Sequence, residues 1–302
     1  MDRPASVRGA LTEAKGIAAG IPDMLVEARR VAATVLAGWH GRRVSGRGET
    51  FWQFRPFTTG EPAASIDWRR SARDDHLYVR EKEWEAAHTV WLWVDLSASM
   101  DFRSRLAPVG KRTRAGVLML ALAELLASAG ERTGLLGASR PILSRNAAER
   151  IAAFVPGFAA KPEPPDTRSL KRFSDVVLIG DFLDPIEEIE KTLEAVLRAG
   201  THAHLVQVID PIEETFPYAG RTEFRDPETG LRHVVSRAEH YREDYHARLA
   251  ALRERLTTLC RRLDWTFLIH RTDRPANEPL LALHARLADR NARRGMETGR
   301  AA

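Results

Sequence analysis

Asp95, Ser97 and Ser99 form the pattern Asp-x-Ser-x-Ser, and a second acid, Asp181, also follows directly on an apolar run. One carboxylate and two hydroxyls on a tight turn are hard oxygen groups, the kind Mg²⁺ prefers and Mn²⁺ accepts. If the two apolar runs are neighbouring strands, both acids enter one crevice with the serine hydroxyls facing them. Two carboxylates and two hydroxyls leave an octahedral ion with positions for water, one more protein ligand and an outside oxygen. Thr167, on a Pro-rich loop, is the most economical candidate for a third hydroxyl. The same residues also admit a purely structural role, with Asp95 capping a turn and Ser97 and Ser99 satisfying backbone groups.

The elements that must position these groups follow from pattern. Residues 90–100 (VWLWVDLSASM) run apolar and aromatic into Asp95, which suits a short strand buried on both faces. Residues 175–179 (DVVLI) repeat the arrangement and lead to Asp181. Between them, residues 110–130 carry Leu118, Leu122, Leu125 and Leu126 at helical spacing and close at Gly130, predicting a buried crossover helix. RTGLLGAS and PILSR read as two short strands, followed by helical NAAERIAAFVPG and the loop KPEPPDT. A helix over 185–199, a strand in HAHLVQVIDP, a hairpin around DPETG, a helix over about 237–263, a strand in DWTFLIH and a helix in PLLALHARLA complete the order. Strands alternating with helices predict an α/β fold with a doubly wound, mostly parallel sheet covered on both faces. In such a sheet ligands bind beyond the carboxyl ends of strands, where the winding reverses.

Upstream, residues 1–20 lack a durable period and are expected to be loosely held. After Pro22, the stretch to Gly38 has Leu25, Val31, Val35 and Leu36 on one helical face, a docking helix with membrane-surface binding as the alternative. Residues 39–85 turn to Gly, Arg and aromatics, with strands in ETFWQFRPF and HLYVREKEW. Gly46 and Gly48 make no phosphate loop, because no Lys-Ser/Thr pair and helix follow. The Arg residues of this segment are expected to pair with Glu61, Asp67 or Asp74 and fix an irregular stretch. His202 and His204 alternate on one strand face, but no third ligand lies nearby in sequence, so the spacing of a structural metal site is not met.

Composition bounds the function. The 302 residues are 44% hydrophobic and 29% charged, which is ordinary for a globular chain and excludes dominant disorder. A net charge of +5, with acids interspersed and no long basic block, argues against nucleic acid as a partner. The one cysteine, Cys260, cannot form an internal disulfide and fits a core position in a reducing compartment. No apolar run approaches the roughly 18 residues of a membrane span and no signal-peptide pattern opens the chain, so the expected location is cytoplasmic, with no transmembrane segment.

Asp95-Leu96-Ser97-Ala98-Ser99 with the later Asp181 resembles the metal-ion-dependent adhesion site of von Willebrand factor A domains. GRGETFWQFRPFTTGEPAASIDWRRSAR upstream, with Ile66-Asp67-Trp68, Ser71-Ala72-Arg73 and the later FRDPETG, is similar to the bacterial family known as domain of unknown function 58. Where that family has Gly-Asp and a following Arg, this chain has Gly60-Glu61 and Ala64, and Gly180 stands where a hydroxyl residue is frequent. The resemblance implies a von Willebrand factor A-like domain over residues 88–288, preceded by a tail and helix (1–38) and a β-rich segment (39–87), and followed by a flexible tail (289–302). It also implies a metal set of Asp95, Ser97, Ser99, Thr167 and Asp181, without catalytic residues. The implied function is a metal-dependent module that binds a protein partner through an acidic residue, often beside a MoxR-type AAA+ ATPase in chaperone-like assembly. The alternative is a metal-dependent hydrolase of a phosphate or ester, for which the sequence supplies no nucleophile and base pair and no second metal cluster.

Overall fold

Five strands lie side by side at the centre of the protein: β3 (Thr89–Val94), β4 (Arg132–Leu135), β5 (Asp175–Gly180), β6 (His202–Ile209) and β9 (Thr266–Arg271). Their order is β4-β3-β5-β6-β9 and every pairing is parallel. The computed structural model describes residues 4–39, 51–58, 60–73, 75–82, 88–159 and 164–298. Numbered within the sheet this is order 2-1-3-4-5, so the winding reverses between β3 and β5. Those are the strands that lead to Asp95 and Asp181.

Helices cover both faces because both faces of each central strand are apolar. Alternate residues Val90, Leu92, Val94, Val177 and Ile179 join one core with α1 (Pro4–Trp39), α3 (Lys111–Ser128), α4 (Ala147–Ala152) and α9 (Asn277–Thr298). The intervening Trp91, Val176 and Leu178 join the other with α6 (Ile186–Arg198) and α8 (Arg242–Arg262). All six residues of β5 are buried, as a central parallel strand requires. α3 is apolar on nearly every side and is buried accordingly, whereas α6 buries only the stripe Ile189, Leu193 and Val196. The short α5 (Val155–Ala159) and α7 (Pro211–Thr215) occupy connections.

Two small antiparallel ribbons stand apart from the sheet's own pairing. β1 (Phe51–Pro56) pairs with β2 (Tyr78–Lys82), with a bulge between Phe51 and Gln53. Between them Asp67 caps the single turn α2 (Trp68–Ser71), Ser71 accepts from the Tyr78 amide, and the Arg70 guanidinium lies 4.5 Å from the Tyr78 ring centre. Glu61 pairs with Arg55 at 2.7 Å, so the expected pinning of this segment by Arg and acid holds there, while Asp67 serves as a cap instead. Gly46, Gly48 and Asp74 lie outside the described residues. β7 (Thr222–Arg225) and β8 (Arg232–Val235) form the expected hairpin around Asp-Pro-Glu-Thr-Gly.

Three boundaries depart from pattern. α1 begins at Pro4, not after Pro22, which sits inside it. The proline removes one backbone bond, and Ala28, Val31, Ala32 and Val35 anchor the second half in the main core. PILSR forms no strand beyond a single bridge of Ile142 to Thr133. α9 continues to Thr298, past the tail boundary expected at 289, and Arg290 ties it back to the sheet. Among the described residues no helix is long and apolar enough to cross a membrane.

Candidate functional site

The backbone leaves β3 at Asp95, whose amide still donates to Ile179 O of β5 at 2.8 Å. The chain then turns, and the Asp95 carboxylate accepts from the Ser97 amide at 2.9 Å, which fixes the loop's first corner. Buried Met100 anchors the following single turn, and Arg112 clamps it by donating to Leu96 O and Ser97 O. The hydroxyls of Ser97 and Ser99 consequently lie 3.1 Å apart, and Ser99 Oγ donates to Asp181 Oδ2 at 2.8 Å. Asp95, Ser97, Ser99 and Asp181 therefore meet at the switch point.

The second acidic loop is shaped by close approach and strain. A Cβ on Gly180 would stand 3.0 Å from Asp95 Cβ, so the missing side chain is what lets the two acids lie next to each other. Phe182 adopts φ 51°, an uncommon conformation for a bulky residue, and the turn lets the Leu183 amide donate to Asp181 Oδ1. From β6, Gln207 donates to Asp181 O at 2.9 Å and is itself held by Arg253.

No hydrogen bond among the described residues links Thr167 to this cluster. Thr167 starts a short 3₁₀ turn capped by Asp166, and its carbonyl accepts from Leu170.

Residues that the sequence did not single out complete the surroundings. Lys111, fully buried at the start of α3, donates to Asp181 Oδ2 at 2.9 Å and to Glu213 Oε1 at 2.6 Å. Burial works against its charge, but the carboxylates of Asp181 and Glu213 outweigh that and raise its pKa. Glu213 in turn closes a capping box with Asp210, the acid at the end of β6. The tip of the β7–β8 hairpin reaches over the serine loop, where Glu228 Oε1 accepts from the Ser99 amide at 2.8 Å. Asp95 has no such cation among the described residues: burial, then repulsion from Asp181 and Asp184, pushes its carboxyl up to about 6. Asp184 is raised for the same reasons, with Glu188 and Glu228 adding to them.

The donor set fits a hard divalent cation. Hydroxyl and carboxylate oxygens converge, and Lys111 offsets one charge while Asp95, Asp184 and Glu228 remain around the same point. Asp95, Ser97, Ser99 and Asp181 are the residues that would hold such an ion.

A second cluster lies at the other end of the strands. Asp175 of β5 pairs in register with His202 of β6, and together with His204 they place three ligand atoms within 4.8 Å of one another. This buried group could hold a metal ion. It corrects the expectation that the two histidines lack a third ligand, because the third comes from the neighbouring strand and not from nearby sequence.

Fold and site together define a doubly wound α/β protein with an acid and hydroxyl cluster at its topological switch point. The chain belongs to the family described as protein of unknown function DUF58, matched over residues 53–255. Relatives include the uncharacterized proteins Rv1480 of Mycobacterium tuberculosis and Mb1516 of Mycobacterium bovis, each 28% identical over 289 residues, covering 90% of this chain and 89% of theirs. Among solved structures, BatB from Bacteroides thetaiotaomicron aligns with a TM-score of 0.40 at 14% identity, covering 68% of this chain and 100% of its own. An aerotolerance-related membrane protein from Bacteroides fragilis aligns with 0.39 at 14%, covering 67% and 100%.

Proposed function

We propose that the protein is a metal-dependent protein-binding module, with a von Willebrand factor A-like site in which Asp95, Ser97, Ser99 and Asp181 hold Mg²⁺ or Mn²⁺. The observation that supports this most directly is the Ser99 to Asp181 contact of 2.8 Å across the switch point, beside carboxylates in excess of their cation. A bound ion would act as a Lewis acid that accepts one oxygen from outside the chain. A partner's Asp or Glu is the oxygen best suited to complete such a shell. Large apolar side chains that follow both acidic loops, Phe102 and Leu106 after the first and Leu183 after the second, are exposed and offer contact area beside it. Family resemblance favours a MoxR-type AAA+ ATPase or its client as partner, in chaperone-like assembly, with no catalytic step by this chain.

The test has two arms. Calorimetry should give Mg²⁺ or Mn²⁺ binding that Asp95→Ala, and Ser97→Ala with Ser99→Ala, weaken at least about tenfold, which is roughly 1.4 kcal/mol. A pull-down from the source cell should lose its partners in EDTA and with Ser99→Ala, with circular dichroism showing the variant folded. Partners held equally without metal would place recognition elsewhere, and Mg²⁺-dependent ATP or phosphate-ester turnover abolished by Asp181→Asn would replace binding with hydrolysis.

A further inference from the structure

Asp175 and Asp181 stand at opposite ends of β5, about 20 Å apart at the usual rise of a strand. The groups around Asp175 are therefore independent of the switch-point cluster. Asp175 is fully buried, and its charge is met in part by Arg290 of α9, whose Nε lies 3.4 Å from Asp175 Oδ1. Arg290 also contacts His202 Nε2, and His88 Nε2 lies 3.7 Å from Asp175 Oδ2 while bonding Phe173 O.

His204 is not explained by those contacts. The residue is 1% exposed, and neither ring nitrogen has a hydrogen-bond partner among the described residues. It stands 5.8 Å, centre to centre, from the His202 ring, on the sheet face that carries Asp175. An imidazole with two idle nitrogens in the interior forgoes one or two hydrogen bonds, a cost on the order of 1–3 kcal/mol. Burial, then the nearby His202, Arg290, Arg286 and His88, keeps the ring neutral, with a pKa of about 3. Neutral imidazole is the form that binds metals.

We propose that Asp175, His202 and His204 form a site for a borderline divalent transition metal of the Zn²⁺ class, in which Arg290 is the resident cation that the metal displaces. Two imidazoles and one carboxylate select such ions over Mg²⁺. Ligand atoms within 4.8 Å must draw in to about 3.4 Å around a tetrahedral ion with bonds near 2.1 Å, a change within reach of side-chain rotation. The fourth position falls to water or to His88. Arg290 has somewhere to go: its side chain is 22% exposed, and the exposed Asp264 carboxylate already lies 3.8 Å from Nη1. A metal here would tie the start of β5 to β6 beneath α9.

The probe is Co²⁺ added to the EDTA-treated, dialysed full chain, read by its visible absorption and displaced by Zn²⁺. Wild type should show the intense band of a tetrahedral ion, saturating at one equivalent. His204→Gln and Asp175→Asn should lose the band while remaining folded by circular dichroism, Asp95→Ala should keep it, and Arg290→Gln should bind about tenfold tighter because a competing charge is gone. The proposal is overturned if wild type shows no such band at equimolar Co²⁺, or if folded His204→Gln keeps it. Loss of the band with Asp95→Ala would equally overturn it, by moving the ion to the switch point.

Discussion

Lys111 and Ser99 donate to the same oxygen of Asp181, so the carboxylate at the switch point already has a cation and a hydroxyl before any ion arrives. The ammonium is fully enclosed and bridges to Glu213, which makes it the point where stability and binding oppose each other. Removing one partner of a buried pair leaves the other charge uncompensated, at a cost of about 3–5 kcal/mol. We expect Lys111→Gln to lose on the order of 3 kcal/mol in urea unfolding without metal. We also expect it to regain more stability than wild type on saturation with Mg²⁺, since the variant presents a more anionic site. A variant that is unstable yet indifferent to Mg²⁺ would show that Lys111 serves the fold alone. Asp95, Ser97, Ser99 and Asp181 were legible in the sequence because each follows an apolar run that has to end at the sheet's edge. Lys111, Glu213 and Glu228 were not, because their pairings join residues far apart in the chain, and no local pattern records which helix start or hairpin tip faces a strand end. Asp175 was hidden from its histidines for the same reason. Thr167 had no such run before it, and the structure records only its local turn.

Among the elements, the β7–β8 hairpin links a recognisable turn to the site. Its strands are mostly exposed and its tip sequence Asp-Pro-Glu-Thr-Gly closes on itself, with Gly230 at φ 72° donating back to Asp226. That rigid turn is what projects Glu228 onto the Ser99 amide. An exposed hydrogen bond of this kind contributes about 1 kcal/mol at most, so Glu228→Ala should leave the unfolding midpoint nearly unchanged. Its charge, however, faces Asp184 and the serine loop, and we expect both Glu228→Ala and Glu228→Gln to weaken Mg²⁺ binding severalfold by calorimetry, on the order of 1 kcal/mol. If Glu228→Gln binds as wild type does, the hairpin acts through its hydrogen bond and not through its charge. The parallel strands and the amphipathic α6 were legible because burial on two faces, or on one stripe, leaves a periodic record. The extent of α1 and α9 was not, since Pro22 reads as a helix start although α1 runs through it, and α9 continues past residue 289.

At the scale of the whole molecule, α1 determines whether the buried α3 can exist. α3 carries apolar residues all round, so the sheet alone would leave one side of it in water. α1 covers that side through Ala28, Val31, Ala32 and Val35, with Met24 lying directly over Gly116 of α3. A Cβ at position 116 would fall 2.7 Å from Met24 Sδ, closer than atoms tolerate, although the thioether is the mobile end of its side chain. Gly116→Ala can be absorbed by a rotation of Met24. Gly116→Leu cannot, and overpacking of that kind costs about 1–3 kcal/mol. Because Lys111 begins the same helix, a displaced α3 also shifts the ammonium that meets Asp181. We therefore expect Gly116→Leu to lower both the unfolding free energy and the Mg²⁺ affinity. Met24→Ala in the same chain should open room for the leucine and restore part of each, with a coupling of more than about 0.5 kcal/mol in the double-mutant cycle. Additive losses would mean that Met24 and Gly116 do not meet in solution, and that α3 has some other cover.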